Sequence, residues 1–415
     1  MIIIQKYGGT SLGSKQRIKS LKNIIKRYKN SNIKIIIVLS AMSGETNKMM
    51  NLAKYFSYKS NKELDCLLCI GEQISISIFS IFLNSIKIKS KPLTSNQIGL
   101  ITNYNYSNAR ILLIKNFFLL KKILKKNKIP ILAGFQGITF SGNFTTLGRG
   151  GSDTTAIAIA AYLKAKECQI YTDVDSIFLS DPRICKNLKI KFSTFECMLE
   201  LSSLGSKVLY VRSVELARKY NINIRVLSSF KKNEGSYISY KKKFSNSMER
   251  CLISGLTHSN NEVKITILNT PNIPGIASKI IGPIVSNNIL IDMIIQNANA
   301  NSEFTNFSFL IETKFLKKTI FLIKKHILSK LGGIIIYQNN ISKISIVGIG
   351  LRSHNEIISK IMFCMSKEKI NIINISTSET KISFLIKNNK IIFAIKSLYN
   401  IFNQNNMFRR NGRVA

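Results

Sequence analysis

Residues 145–156 read TTLGRGGSDTTA: hydroxyls, flexible glycines and one arginine, Arg149, running straight into an apolar helix pattern over 156–163. A helix start is a natural anion site, because its first backbone N–H groups have no partner inside the helix. A second cluster, YTDVDSIFLSDPR at 171–183, reads as a strand end followed by an acid-studded loop. A third, KYGGTS at 6–11, ends the first apolar strand with a lysine and two glycines. Glycines let backbone N–H groups approach a phosphate, and lysine adds a point charge. The three clusters together point to a nucleotide-dependent phosphotransferase. The P-loop pattern GxxxxGK[ST] is absent, so a P-loop enzyme is not the expectation.

The elements that must position these residues alternate in type. Apolar strands are expected at 1–5, 33–40, 129–135, 169–172 and 222–227, with helices at 15–28, 45–56, 72–83, 154–165, 195–204 and 214–220. That order predicts an α/β fold with a largely parallel sheet and helices on both faces. Ligands gather at the C-terminal ends of such strands, where Lys6, Ser40, the loop after Phe135 and residues 172–173 all fall. A polar stretch over 230–250 reads as a linker. Beyond it KITILNTPNIPGIASKIIGPIVSNNILIDMIIQN (264–297) resembles KISIVGIGLRSHNEIISKIMFCMSKEKINIINIS (343–376), a repeat of about 80 residues that suggests two βαββαβ modules. Such modules bind a small regulator or form a dimer interface.

At 415 residues the chain exceeds one typical core, and two or three domains are expected. No run of eighteen apolar residues argues for a membrane span, and the apolar start at 1–4 is too short for a signal peptide. The net charge of +40 invites a nucleic-acid reading, but lysine is spread along the chain in company with isoleucine and asparagine. All three have AT-rich codons, so base bias accounts for the excess without a nucleic-acid partner. Seven scattered cysteines suit a reducing cytoplasm rather than a disulfide framework. Cys66 and Cys69 have CxxC spacing but sit in an apolar helix pattern with no second pair, so core packing is expected there.

The motifs KYGGTS, SAMSGETN (40–47), ELDCLLCIGEQIS (63–75), TLGRGGSDTTA, YTDVD with DPR, ELSSLGSKVL (200–209) and RSVELA (212–217) occur in an order that resembles aspartokinases over nearly the whole chain. NIPGIASKI, IDMIIQN, VGIGLRSH and NISTSE resemble the paired ACT regulatory domains of that family. The resemblance implies an amino-acid-kinase fold over 1–230, a linker over 231–262, ferredoxin-like ACT domains over 263–340 and 341–415, and ATP-dependent phosphorylation of the L-aspartate β-carboxylate. It also implies ATP as co-substrate, with Mg²⁺ carried on the nucleotide, and a homodimer or higher oligomer through the ACT domains.

Phosphoryl transfer depends on positioning and charge neutralisation. A carboxylate nucleophile with a pKa of about 4 is ionised near neutral pH and needs no general base. That agrees with only three histidines, all in the C-terminal part. The resemblance implies catalytic roles for Lys6, Asp153 and Lys207, with Arg149 on the substrate α-carboxylate. Glu72 would take its α-amino group, with Ser40 and Thr46 lining the pocket. Read from residues alone, Glu72 could instead start a helix and favour its dipole, and the two hydroxyls could be helix caps. The nucleotide is expected on Lys6, Tyr7, Gly8, Gly9, Thr172, Asp173, Phe178, Asp181, Arg183 and Lys207. Ser176 stands where the family usually has glycine, and Phe178 where it has tyrosine.

Effector contacts are expected from Asn272, Gly275, Ile276, Ala277, Asp292, Gln296, Asn297, Asn374, Thr377, Ser378 and Glu379. Asn272 and Asn306 replace aspartates common in the family, and 351–360, LRSHNEIISK, lacks the glycine expected after RSH. Feedback inhibition by lysine or threonine is therefore expected to be weak or absent, with dimer formation retained. No second dinucleotide fingerprint marks a fused homoserine dehydrogenase. The competing readings are another amino-acid kinase, acting on glutamate, N-acetylglutamate or a nucleoside monophosphate, and a catalytically decayed ACT-mediated binding subunit. A basic nucleic-acid binder would need lysines clustered on one face.

Overall fold

The computed structural model describes the chain apart from residues 32, 57–60, 186–187, 205–207, 241–251, 299–302, 326–332, 353 and 405–415. It divides into two units: Met1–Leu179 with Leu188–Met248, and Ser180–Asn187 with Glu249–Arg410.

The first unit is built on an eight-stranded sheet. Its order is Phe192–Ser193, Ser236–Ile238, Ile224–Ser228, Glu167–Thr172, Ile2–Tyr7, Lys34–Leu39, Ile129–Ala133 and Ser90–Leu93. Every adjacent pair is parallel except Ile224–Ser228 with Ser236–Ile238. The central strands are runs of isoleucine, valine and leucine because both faces are covered, the usual state of a parallel sheet. Ile2–Tyr7 lies between Lys34–Leu39 and Glu167–Thr172, so successive connections leave it in opposite directions. That is a topological switch point, and it opens a crevice at the strands' C-terminal ends.

Two helices flank the crevice. Gly151–Tyr162 is buried from Gly151 through Ala160, which its alanines, threonines and glycine allow without crowding. Asn61–Ser85 starts well before the expected residue 72, so Glu72 lies mid-helix and the helix-dipole reading of it is corrected. This helix is long and apolar enough to cross a membrane by length and composition, but half of its apolar window is buried, with Asp65 and Glu72 facing inward. Cys69 is buried on it and Cys66 exposed. A smaller sheet, ordered Ile111–Ile114, Leu100–Thr102, Gln136–Ile138 and Phe144–Thr146, leads into the Arg149 loop.

The second unit has a six-stranded antiparallel sheet ordered Asp292–Ala298, Phe304–Glu312, Leu252–Pro271, Ile334–Ile349, Lys381–Lys387 and Asn374–Thr377. Its helices are Ile276–Ser286, Leu316–Ile323, Asn355–Lys367 and Ile391–Gln404. Alternate strand residues Val263, Ile265 and Ile267 meet Phe307, Phe309 and Ile311, and the helix stripe Ile276, Ile280 and Ile284 closes over them. The repeat read from sequence is present as strand, helix, strand in both halves.

One boundary differs. Residues 231–262, expected to be a linker, include the strand Ser236–Ile238 and the start of Leu252–Pro271. Leu252 to Ser259 pair with Ile349 to Lys343, completing the second module, while Lys264 to Leu268 pair with Gln338 to Ile334 in the first. The first module is thus inserted between Leu252–Ser259, which belongs to the second, and the rest of the second.

Candidate functional site

Lys6 is the penultimate residue of its strand, paired in register with Val38 and Ile170, which delivers its side chain to the crevice. There its Nζ lies 2.7 Å from Asp153 Oδ1, and both side chains are largely buried. Asp153 sits in the first turn of Gly151–Tyr162, where the helix dipole favours a negative charge. The N-cap is Gly150, which has no side chain to cap the helix, so this end stays available for an anion. Gly9 allows the neighbouring backbone to close in: a Cβ there would stand 2.6 Å from the Ala41 carbonyl oxygen.

A cavity of about 210 Å³ is lined by Lys6, Ser40, Thr46, Glu72, Arg149 and Asp153, together with Phe135, residues 148 and 150–152, and Tyr210. It brings together all four residues expected to bind substrate and two of the three expected catalytic ones. Lys207, the third, lies outside the described residues. Neither hydroxyl serves as a cap for the adjoining helix Glu45–Tyr55; its N-cap is Gly44, in the left-handed region at φ 89°.

Glu72 is buried, and its Oε1 accepts a hydrogen bond from Ala41 N at 3.1 Å. Gly71 permits that approach, since a Cβ on it would lie 2.9 Å from the Ala41 Cβ. Oε2 has no partner within the described residues. Burial pushes the Glu72 carboxyl up to about 8, against the lowering effect of backbone hydrogen bonds. Arg149, by contrast, is exposed on the cavity rim. Gly148 at φ 75° and Gly150 at φ 72° flank it, and these left-handed positions turn the chain outward at Arg149. A side chain at residue 150 would also meet the Tyr210 ring, 2.4 Å from its Cβ. The cavity therefore presents a buried carboxyl group with one oxygen unpartnered, a guanidinium, and an ammonium held by a carboxylate.

The residues expected to hold nucleotide divide. Gly8 N–H donates to the Tyr171 carbonyl at 3.3 Å, and Thr172 Oγ1 donates to Asp173 Oδ1 at 3.0 Å. Phe178 is half-buried on the short strand Ile177–Phe178, and Ser176 is buried. The Tyr7 side chain is core: fully buried, stacked on Tyr171 at 4.6 Å and donating to Gln5 Oε1. Any nucleotide contact at residue 7 is thus left to its backbone. Asp181 and Arg183 fall in Ser180–Asn187, within the second unit, and pair with each other at 2.6 Å. There they line a cavity of about 1300 Å³ with His258, Asn260, Asn340 and Asn388. None of the residues expected to bind an effector lines it.

Those effector candidates occupy opposite edges of the six-stranded sheet: Asp292, Gln296 and Asn297 on one edge strand, Asn374 and Thr377 on the other. Gly275 caps Ile276–Ser286 at φ 85°, Ile276 is buried in the core with Ala277 packed against it, and Asn272 N–H donates to the Glu303 carbonyl. Ser378 N–H donates to the Lys381 carbonyl, and Glu379 pairs with Arg352 at 3.6 Å. The Asp292 carboxylate is taken by the buried Lys343 ammonium, which also lies 3.5 Å from Glu262.

Four residues at or behind the site were missed in the sequence: Phe135, Tyr210, Asp65 and Arg212. Phe135, at φ 66°, is a non-glycine residue in the left-handed region at the head of the crevice. Only Asp65 left a signal. It lies seven residues before Glu72, two turns along one face of a helix whose middle is otherwise uncharged.

Residues 1–228 match the amino acid kinase family, and residues 344–402 match the ACT domain. The aspartate kinase of Pseudomonas putida is 41% identical over 406 residues, covering 97% of each chain. The chain belongs to the aspartokinase family. A second relative within it, the aspartokinase of Helicobacter pylori, is 38% identical over 97% of this chain and 99% of its own. Among solved structures, E. coli aspartokinase III in complex with aspartate and ADP superposes with a TM-score of 0.79 at 22% identity, over 96% of this chain and 99% of that one, a likeness of fold. Aspartokinases are kinases with a carboxyl group as acceptor, and aspartate phosphorylation opens the pathway to the amino acids derived from it. The catalytic and regulatory folds expected from the motifs are both present.

Proposed function

We propose that the 210 Å³ cavity binds L-aspartate as a zwitterion and presents its β-carboxylate to the γ-phosphate of ATP. The observation that carries this reading is the pairing of opposite charges in one cavity: the unpartnered Glu72 Oε2 for an α-ammonium, and Arg149 for an α-carboxylate. An arginine fork matches a carboxylate bidentately, whereas an ammonium needs only an anion at close range. Ser40 and Thr46 fill the remaining polar positions. The β-carboxylate attacks the γ-phosphorus, the new C–O–P bond replaces the bond to the leaving oxygen of ADP, and no proton is transferred.

Lys6, held by Asp153, neutralises charge developing on the transferred group, with Lys207 assigned the same role from its motif. The backbone N–H of residue 9 and the start of Gly151–Tyr162 supply further donors, the Gly8 N–H being taken by the Tyr171 carbonyl. Mg²⁺ would arrive on the nucleotide phosphates, where it would neutralise charge and draw its ligands largely from phosphate and water. Assembly through the ACT modules and a cytoplasmic location belong to the same reading, the latter supported by the free cysteines at the described positions.

Trapping of aspartyl phosphate by hydroxylamine tests the proposal. Wild type is expected to form the hydroxamate from aspartate and ATP. Arg149→Ala should raise the KM for aspartate by roughly 100-fold, the loss of two charge-assisted hydrogen bonds at about 1.5 kcal/mol each. An unchanged KM would remove Arg149 from the substrate, and an inert, folded wild type would sink the enzyme reading.

A further inference from the structure

Asp65 is fully buried and pairs with no cation among the described residues. Its charge is instead spent on four donors. Oδ2 accepts from Ser107 N at 2.8 Å and from Thr146 N at 2.7 Å. Oδ1 accepts from the Ser107 hydroxyl at 3.2 Å and the Thr146 hydroxyl at 2.9 Å. One carboxylate therefore ties a loop residue to the last residue of the strand Phe144–Thr146, three positions ahead of Arg149. The same two segments are joined again by Ala109 N donating to the Thr146 carbonyl at 2.9 Å.

Arg212 grips this assembly from the other side. Its Nη1 donates to the Leu147 carbonyl at 2.7 Å and to Asn108 Oδ1 at 3.4 Å, and its Nη2 donates to the Ala109 carbonyl. Gly148 then passes so close to residue 107 that a Cβ would lie 3.0 Å from the Ser107 oxygen. The chain leading to Arg149 is thus fixed by charge-assisted bonds at residues 146 and 147, while Arg149 itself projects to the rim.

We infer that Asp65 and Arg212 are positioning residues for aspartate: they clamp residues 146–148 and so fix where Arg149 meets the substrate α-carboxylate. The inference rests on the reading of the cavity as the aspartate site. It adds a division of labour to the long helix Asn61–Ser85. Glu72 faces the α-ammonium directly, and Asp65, two turns earlier, places the guanidinium for the other end of the same zwitterion. Both recognition groups are thereby referenced to one rigid element, and a shift of about 1 Å at such a group is enough to cost large factors in rate. Asp65 and Arg212 make these hydrogen bonds to residues 107–109 and 146–147, none of which is a nucleotide candidate, so the clamp is expected to act on aspartate rather than on ATP.

Two substitutions at residue 65 separate positioning from bulk stability. In Asp65→Asn the amide oxygen still accepts from the two backbone N–H groups, and the hydroxyls of Ser107 and Thr146 rotate to accept from the NH₂. In Asp65→Ala all four donors lose their partner. The KM for aspartate is expected to rise at least about 10-fold in Asp65→Ala, with the KM for ATP within about 2-fold of wild type. Asp65→Asn should recover most of the loss. Hydrogen exchange across residues 145–151 reads the clamp without turnover: faster exchange is expected in Asp65→Ala and near-wild-type exchange in Asp65→Asn. Arg212→Met should reproduce the aspartate effect and combine with Asp65→Ala less than additively, since both hold one loop. Unchanged exchange in Asp65→Ala, or equal rises in both KM values, would overturn the inference. If wild type makes no hydroxamate while exchange responds as expected, the enzyme reading fails and the clamp stands.

Discussion

Because burial raises the Glu72 carboxyl to about 8, the empty site near neutral pH holds it largely as the acid, and an arriving ammonium must draw out its proton. Aspartate affinity should therefore increase as pH rises toward 8. Stability runs the other way. Between the ordinary glutamate value and about 8 the folded chain binds the proton more tightly than the unfolded one, so this contribution is complete at low pH and is lost as pH rises through 8. Glu72→Gln is expected to flatten both dependences, to raise the stability of the ligand-free protein above pH 8 by about 2 kcal/mol, and to weaken aspartate binding at least about 10-fold. Thermal melts and aspartate KM measured from pH 6 to 9 check it; parallel pH profiles for the variant and wild type would remove Glu72 from the role. Gly150 makes a second demand at this scale. Alanine there meets both the positive φ and the Tyr210 ring, so Gly150→Ala should reduce activity more than about 10-fold, and adding Tyr210→Ala should recover only the steric share. Full recovery in the double variant would show that the backbone conformation costs nothing.

Among the elements, the isoleucine runs of the parallel sheet and the Gly-rich start of Gly151–Tyr162 were plain in the sequence, because strand pattern and loop chemistry are local. Six residues that meet in the cavity, Lys6, Ser40, Thr46, Glu72, Arg149 and Asp153, lie in motifs legible in the sequence. What stayed hidden is non-local. The helix Asn61–Ser85 opens with the polar residues Asn61, Lys62 and Glu63 and its long uncharged apolar run follows Glu72, so the sequence pattern puts the helix start at Glu72 rather than at Asn61. Leu252 to Ser259 looked like linker because their pairing partners lie some ninety residues later, at Lys343 to Ile349. The Lys343 ammonium, which the sequence did not distinguish from many other lysines, joins these elements by pairing with Glu262 and Asp292. Lys343→Met should destabilise the six-stranded sheet by about 2 kcal/mol, less than a wholly buried pair would cost because Asp292 is half exposed. Although burial alone would raise the Asp292 carboxyl, Lys343 holds it below the usual range. The pair's contribution is present above the ordinary aspartate pKa and lost as pH falls through the depressed one. Denaturant melts should therefore show wild type losing its advantage over Lys343→Met at acid pH; an advantage independent of pH would mean that packing of the lysine stem carries the effect.

For the whole molecule, the regulatory sheet sets the question of control. Its two edge strands carry the two groups of effector candidates, and a single chain keeps them four strands apart. The proposed pairing of two copies through these modules would let an edge group of one chain meet a partner surface. Recognition of lysine or threonine between copies requires an anion for the effector's ammonium. Asp292 already has an ammonium, that of Lys343, and Asn272 is uncharged. On the other edge, Glu379 is partnered by Arg352. An effector amine would have to displace the buried Lys343 ammonium from Asp292, where one ion pair replaces another with little net gain, or compete with Arg352 for Glu379 in an exposed pair that water already screens. The purified dimer is therefore expected to keep most of its aspartyl phosphate activity in low-millimolar lysine or threonine, alone or combined, while sedimenting as a dimer with or without them. Strong inhibition by either amino acid, or a dimer that forms only when one is added, would show that the sheet edges still read an effector despite their internal pairing.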